Sequence, residues 1–248
     1  MTGAARGIGF AIVERLARDG RTVIVSDVDE TAAYEAAGHL RDRGHRADAL
    51  SLDVSSVASW RDGIESVDRR FGPVDVLVNN AGLAYVEPSE SAAIEHWDRQ
   101  IDVMLSGVFY GCQAVAQHMI PRRCGTIVNV ASIGGMGGWP QRAAYNAAKA
   151  GVINLTQTLA SEWGPYGIRV NAVAPGVTRT DIFRKLVAQR VASELDYVRR
   201  TPMGRLAEPS EIAAVVAFLA GEASSAITGI TLRADGGWVP WANPHPSA

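Results

Sequence analysis

Six short runs of β-branched and apolar residues alternate along the chain with longer stretches patterned for helices. The runs cover residues 21–27 (RTVIVSD), 47–54, 74–80, 125–132, 168–174 and 230–237. Strands separated by helices pair in parallel, because a parallel neighbour can be reached only through a long crossover. Right-handed crossovers place those helices on both faces of the sheet. The runs are nearly continuous in apolar residues, as strands covered on both faces are. The expected fold class is therefore α/β, a doubly wound parallel sheet with helices on both faces.

The intervening stretches and their ends agree with this. Ile8, Ile12 and Leu16 form one stripe at helical spacing, and Ile212, Val215, Val216 and Leu219 form another. Gly20 and Gly44 stand where left-handed C-caps are wanted, Asp29 and Ser55 are candidate N-caps, and Pro209 suits a first helical turn. No glycine-, serine- or proline-rich linker interrupts the 248 residues, so a single domain over 1–248 is expected. Its WVPWANPHPSA tail, residues 238–248, is rich in proline, and the two tryptophans predict that it docks on the body.

Composition narrows the function. A net charge of −2 gives no reason to expect a nucleic-acid partner. Cys112 and Cys124 match no zinc spacing and predict free thiols and no metal. The sequence shows neither a basic apolar leader nor a long uncharged apolar run, so a cytoplasmic protein without a membrane partner is expected.

Two segments carry chemistry. Thr2, Gly3, Arg6, Gly7, Ile8 and Gly9 form a glycine loop that runs into a helix. Glycines let a backbone approach a pyrophosphate, and the helix aims its amides at the negative charge. Asp27, at the end of the next strand, can accept hydrogen bonds from both ribose hydroxyls and would repel a 2′-phosphate, which favours NAD. Arg6 pulls weakly towards NADP, but no basic residue follows Asp27 directly. In the second segment Tyr145 and Lys149 stand one helical turn apart, and Ser132 precedes them at a strand end. An ammonium group stabilises a phenolate, and a serine hydroxyl can steady charge on a substrate oxygen.

Order and spacing together identify the chain as resembling the short-chain dehydrogenase/reductase family, with its NAD(P)-binding Rossmann fold. The matching segments are TGAARGIG, Asp27, LDV around Asp53, Asn79 to Gly82, Ser132, Tyr145-x-x-x-Lys149, and NAVAPG followed by Thr180. The resemblance implies that Tyr145 is the general acid/base, Lys149 its pKa-lowering partner and ribose ligand, and Ser132 the carbonyl-orienting hydroxyl. It implies adenine contacts from Asp53 and Val54, and a wall beside the ribose from Asn80, Ala81 and Gly82. Pro175, Gly176, Val177 and Thr180 are implied on the nicotinamide side, and Asn171 as a structural member of its motif. A dimer or tetramer is implied as well; the apolar positions Val103, Val108, Ala114, Val115, Val152, Leu155 and Leu159 suit that, and equally suit packing on the sheet.

Two departures qualify the resemblance. Met104 stands where relatives place an asparagine that helps hold a water linked to the lysine; a thioether is at best a weak acceptor. With Ser132, Tyr145 and Lys149 all present, turnover is expected to survive. The second departure is at the start. Relatives carry a strand before the glycine loop, between the strands holding Val23–Val25 and Val76–Val78, whereas only Met1 stands there. Its loss would leave two unpaired inner edges and a slot through the core. The expectation is that the chain as written lacks its true beginning, with Met1 standing where relatives carry an aliphatic residue.

The expected activity is hydride transfer between NAD(H) and a small secondary alcohol or ketone. The alternatives are an NADP(H)-dependent 3-oxoacyl-thioester reductase and a dinucleotide-binding subunit with little turnover. Leu83, Tyr85, Met136, Trp139, Ile182, Phe183 and Leu186 predict a largely apolar substrate pocket, with a lid around 177–203. Arg179, Arg184 and Lys185 are read as a solvated lid face rather than as anion ligands.

Overall fold

The computed structural model describes residues 1–188 and 193–239, apart from the side chains of Ile182 and Leu186. The elements follow in the order α1 (Gly7–Arg18), β1 (Val23–Asp27), α2 (Glu30–Asp42), β2 (Ala47–Ser51), α3 (Val57–Phe71), β3 (Val76–Asn79) and α4 (Ile94–Ile101). A π-helical turn, Asp102–Ser106, carries α4 into α5 (Gly107–Arg122). Then come β4 (Gly125–Val130), α6 (Ala143–Trp163), β5 (Ile168–Pro175), α7 (Asp181–Ala188), α8 (Glu194–Arg199), α9 (Pro209–Ala220) and β6 (Thr231–Ala234). All strand pairings are parallel, as the alternation requires.

Each face of the sheet carries its own core. On one, Ile12, Val13 and Leu16 of α1 pack with Ala213, Val216 and Leu219 of α9 against Val25, Val78 and Val128. On the other, Trp60 and Ile64 of α3, Val108 and Val115 of α5, and Val152 and Leu159 of α6 cover Leu77, Ile127 and Val170. The apolar positions suited to either an interface or the sheet thus largely serve the sheet. Among the described residues no helix is long and apolar enough to cross a membrane.

The caps show how locally the chain is specified. Gly20 and Gly44 adopt φ of 86° and 82°, where a side chain would strain the backbone. Asp29 caps α2 by accepting from the Ala32 amide at 3.1 Å, and Pro209 opens α9. The N-cap of α3 is Ser56, not Ser55: Ser56 Oγ accepts from the Ser59 amide, while the Ser55 hydroxyl turns to Asp53 at 2.6 Å. A carboxylate two residues away competes successfully for that serine.

The sheet is divided. β1 pairs with β2, and β3-β4-β5-β6 forms a second ladder. Among the described residues the first few of the chain bridge them: Thr2 donates its amide to Val78 O at 3.1 Å, Met1 O accepts from the Ser26 amide at 2.9 Å, and the Ala4 amide donates to Ser26 O at 3.1 Å. Below this bridge lies a cavity of about 360 Å³, lined by Leu16, Ile24, Leu50, Trp60, Ile64 and Val76 among others. The two inner edges therefore face a slot, as expected of strands without a neighbour there.

The Met1 amine sits at the end of the slot and donates to Ile24 O at 2.9 Å.

Candidate active site

The site forms where the strand order reverses, at the carboxyl ends of β1 and β3, which is where open parallel sheets bind ligands. Gly3 and Gly7 adopt φ of 57° and 59°. A Cβ at Gly3 would lie 2.7 Å from Ala81 Cα, and one at Gly9 would lie 2.0 Å from Gly3 O. The loop is thus folded as tightly as glycine permits. Asn80 secures it, with Nδ2 donating to Thr2 O and Gly3 O at 3.1 and 2.8 Å. Thr2 Oγ1 in turn accepts from the amides of Asn80 and Ala81. The resemblance implies Asn80 and Ala81 beside a ribose; in the structure they also hold the loop.

The first turn of α1 has no side-chain cap, which leaves its amides available to an anion. Asp27 stands beside it, accepting from the Ala5 and Asp29 amides at 3.3 and 3.2 Å. Arg6 is drawn to Asp29 at 2.7 Å. Asp53 accepts from both the amide and the hydroxyl of Ser55, and the hydroxyl chiefly holds its carboxyl below its ordinary range. Val54 is buried, and its carbonyl receives the Trp60 indole at 3.0 Å. A cradle that a Cβ would fill, uncapped amides and a carboxylate one strand over fit a dinucleotide.

Ser132 lies two residues beyond β4 and caps a short 3₁₀ turn, where its Oγ accepts from the Gly134 amide at 3.0 Å. Its side chain also favours the ionised form of the neighbouring Tyr145 phenol. Tyr145 and Lys149 occupy one face of α6, with Lys149 Nζ 5.9 Å from the tyrosine ring centroid. Lys149 is buried, donates to Val130 O at 2.7 Å, and is pushed by burial down to about 8. Burial also holds the Tyr145 phenol above its ordinary value, opposed by the Ser132 hydrogen bond and by the charge of Arg142.

Met104 lies in the π-helical turn, fully buried, its sulfur 3.4 Å from where a Gly82 Cβ would stand. Across the site, Pro175 ends β5, and a Cβ at Gly176 would come within 2.8 Å of Asp235 Cα. Val177 O accepts from the Ala207 amide, and the Thr180 methyl lies 3.8 Å from the Cβ position of Gly7. This segment therefore closes over the glycine loop. Asn171 ties β5 to the next segment through Ile227 O and the Ile230 amide, a structural role as expected.

Arg179 bridges Glu194 and Glu208, and Arg184 pairs with Asp181, so neither is held ready for an anion. Beside them stands an aromatic cluster from three distant segments. Trp139 stacks with Tyr197 at 6.3 Å and meets Trp238 at 5.5 Å, and Phe183 packs edge-on against Tyr197 at 5.7 Å. Trp238 docks as expected; residues 240–248, including Trp241, lie outside the described residues, as do the side chains of Ile182 and Leu186. Tyr85 stacks instead on His96, 3.8 Å between centroids. Sequence reasoning passed over Arg142, the residue before α6, whose guanidinium lies 5.7 Å from the Trp139 ring centroid. Its spacing of three from Tyr145 was the available signal.

Residues 3–239 match the family model described as Enoyl-(Acyl carrier protein) reductase. The chain is 42% identical over 239 residues to a cis-4-hydroxycyclohexanecarboxylate dehydrogenase of Sinomonas cyclohexanicum, covering 96% of this chain and 94% of the relative. It is 40% identical over 242 residues to 3beta-hydroxysteroid dehydrogenase 1 of Eggerthella lenta, covering 96% and 91%. The crystal structure of a gluconate 5-dehydrogenase from Burkholderia cenocepacia J2315 in complex with NADP and tartrate superposes with a TM-score of 0.92, at 37% identity, covering 97% of this chain and 94% of that one. Fold, cradle and relatives together define an NAD(P)-dependent oxidoreductase acting on CH–OH groups. The chain belongs to the short-chain dehydrogenase/reductase family.

The glycine geometry carries a direct consequence. Gly9→Ala places a methyl against the Gly3 carbonyl, and the loop must open to admit it. The variant should lose the rise in unfolding midpoint that NADH gives the unaltered protein. An undiminished rise would show that the loop does not hold the dinucleotide.

Proposed function

We propose that the protein interconverts a secondary alcohol and its ketone with NAD(H), using Tyr145 as acid and base. The observation that carries this is the placing of Ser132, Tyr145 and Lys149 together at the sheet's carboxyl edge, next to the glycine cradle. Gly3, Arg6, Gly7, Ile8 and Gly9 would hold the pyrophosphate, Asp27 the adenosine ribose, Asp53 and Val54 the adenine, and Asn80 to Gly82 the adjoining wall. Pro175 to Val177 and Thr180 would meet the nicotinamide end. When bound, the cofactor supplies or accepts the hydride at the carbinol carbon.

Everything else falls to side chains of this chain. In reduction, the Tyr145 hydroxyl gives its proton to the carbonyl oxygen while Ser132 Oγ hydrogen-bonds the same oxygen and steadies its growing charge. In oxidation the tyrosine accepts the alcohol proton. Its raised pKa keeps the phenol protonated in the protein alone, which suits the donor role. The Lys149 ammonium, held at Val130 O, supports the phenolate once it forms. Ring alcohols named for two relatives support a secondary alcohol as substrate, and the aromatic lining supports an apolar one.

Asp27 supports NAD over NADP, and the pairing of Arg6 with Asp29 weakens the only argument from the loop for a 2′-phosphate. The NADP-linked 3-oxoacyl-thioester reductase is the second reading, favoured by the reductase description of the family model. We also propose a single domain over residues 1–248, a cytoplasmic location and a homo-oligomer, with Phe109, exposed on α5, at its interface.

Tyr145→Phe should lower kcat by about 10²–10⁴-fold and leave NADH binding intact. NADH should bind at least about tenfold tighter than NADPH, and Asp27→Asn should narrow that ratio. Stopped-flow single turnovers check the first and titration calorimetry the second. Transfer that survives in Tyr145→Phe, or a preference for NADPH, would overturn the corresponding assignment. Binding without any single-turnover transfer across alcohols and ketones would instead favour a subunit without turnover.

A further inference from the structure

Arg142 has no assigned part in the chemistry just described, yet it and the aromatic cluster are tied to the start of α6, the helix of Tyr145. Arg142 immediately precedes α6, and the Asn146 amide bonds back to its carbonyl at 2.9 Å. Three positions on, Tyr145 follows on the neighbouring helical face. The Asn146 side chain donates to Trp139 O at 2.9 Å, which locks the Trp139 loop to the residue after the acid/base. Trp139 in turn holds Tyr197 from the lid and Trp238 from beyond β6, so one aromatic wall spans three segments. A second guanidinium, Arg200, lies 4.7 Å from the Trp238 ring centroid.

A guanidinium lying over an indole spends its flat face on the ring and keeps its N–H donors at the edge. Among the described residues, neither Arg142 nor Arg200 pairs with a carboxylate. The lid's own cations differ: Arg179 and Arg184 are both neutralised by neighbours. The structure therefore keeps a planar cation with unmet donors at the N-cap of the acid/base's helix, lying against an apolar aromatic wall. A planar carboxylate is the acceptor whose shape matches that fork.

Resting on the dehydrogenase reading, we infer that the substrate is a ring-bearing alcohol or ketone with a carboxylate: the Trp139–Tyr197–Trp238 wall takes the ring, and Arg142 takes the carboxylate. The wall rewards a compact apolar ring over a flexible chain, because a ring loses less conformational freedom on binding. The carboxylate fixes which face of the ring meets Tyr145 and Ser132. Arg142 is thereby a specificity-determining residue, distinct from the acid/base.

The test compares 3-oxocyclohexane-1-carboxylate, its methyl ester and the open-chain 5-oxohexanoate as NADH-linked substrates of the full chain. A charge-assisted hydrogen bond of the usual strength predicts kcat/KM for the ring acid at least about tenfold above that for the ester. Arg142→Gln should bring that ratio close to one, Arg142→Lys should keep part of it, and Trp139→Leu should cost the ring acid more than 5-oxohexanoate. Each variant is first shown to be folded by its NADH-induced rise in unfolding midpoint. Acid and ester reduced equally by the unaltered protein would overturn the subsite. So would equal losses for both in Arg142→Gln, since a change felt only through Tyr145 would not distinguish them.

Tryptophan fluorescence separates this from the parent reading. Saturable quenching by the ring acid, lost in Arg142→Gln, with no NADH consumed would keep the subsite and sink hydride transfer. Neither quenching nor reduction would sink the subsite.

Discussion

The structure depends on a small knot of hydrogen bonds between its first residues and the end of β3. Thr2 Oγ1 accepts from two amides of the segment after β3, and the Asn80 side chain returns two bonds to the carbonyls of Thr2 and Gly3. Thr2, together with Met1, also carries the backbone bridge between the separate ladders. A buried polar group that loses its partner costs about 1–3 kcal/mol, so the members of this knot hold one another in place. Joining the ladders and shaping the glycine cradle are consequently one task. Loosening the sheet there also loosens the glycine cradle.

Electrostatics at the other end of the site follows from burial. Lys149 and the Tyr145 phenol are both enclosed by the sheet edge and the turn after Ser132, and enclosure disfavours the charged form of each. The site at rest thus disfavours an ammonium–phenolate pair. What offsets this is local: the Val130 carbonyl on the lysine, the Ser132 hydroxyl on the tyrosine, and the nearby guanidinium of Arg142. Met104, packed under Gly82, brings a sulfur to a wall where a stronger acceptor could have stood.

The parts of this legible in the sequence were those specified within a few residues. A tyrosine and a lysine four apart share a face once the segment is a helix, and the glycines at 3, 7 and 9 open a loop of positive φ and close approach. The alternation of strands and helices likewise leaves few arrangements besides a parallel sheet. What escaped was set by distance or by competition. Trp139, Tyr197 and Trp238 meet only because three crossovers end at one place, which no spacing encodes. Ser55 lost its capping role to Ser56 because Asp53 offered it a better partner. Arg142 looked like one charge among many until the ring beneath it was in place.

The slot between β1 and β3 has one further implication. It opens to solvent, and below Met1 and Thr2 the facing edges of the two strands have no ladder partner among the described residues. An unpaired strand edge is a template for an extended segment from elsewhere. The seam is therefore where a strand of another chain can complete this sheet.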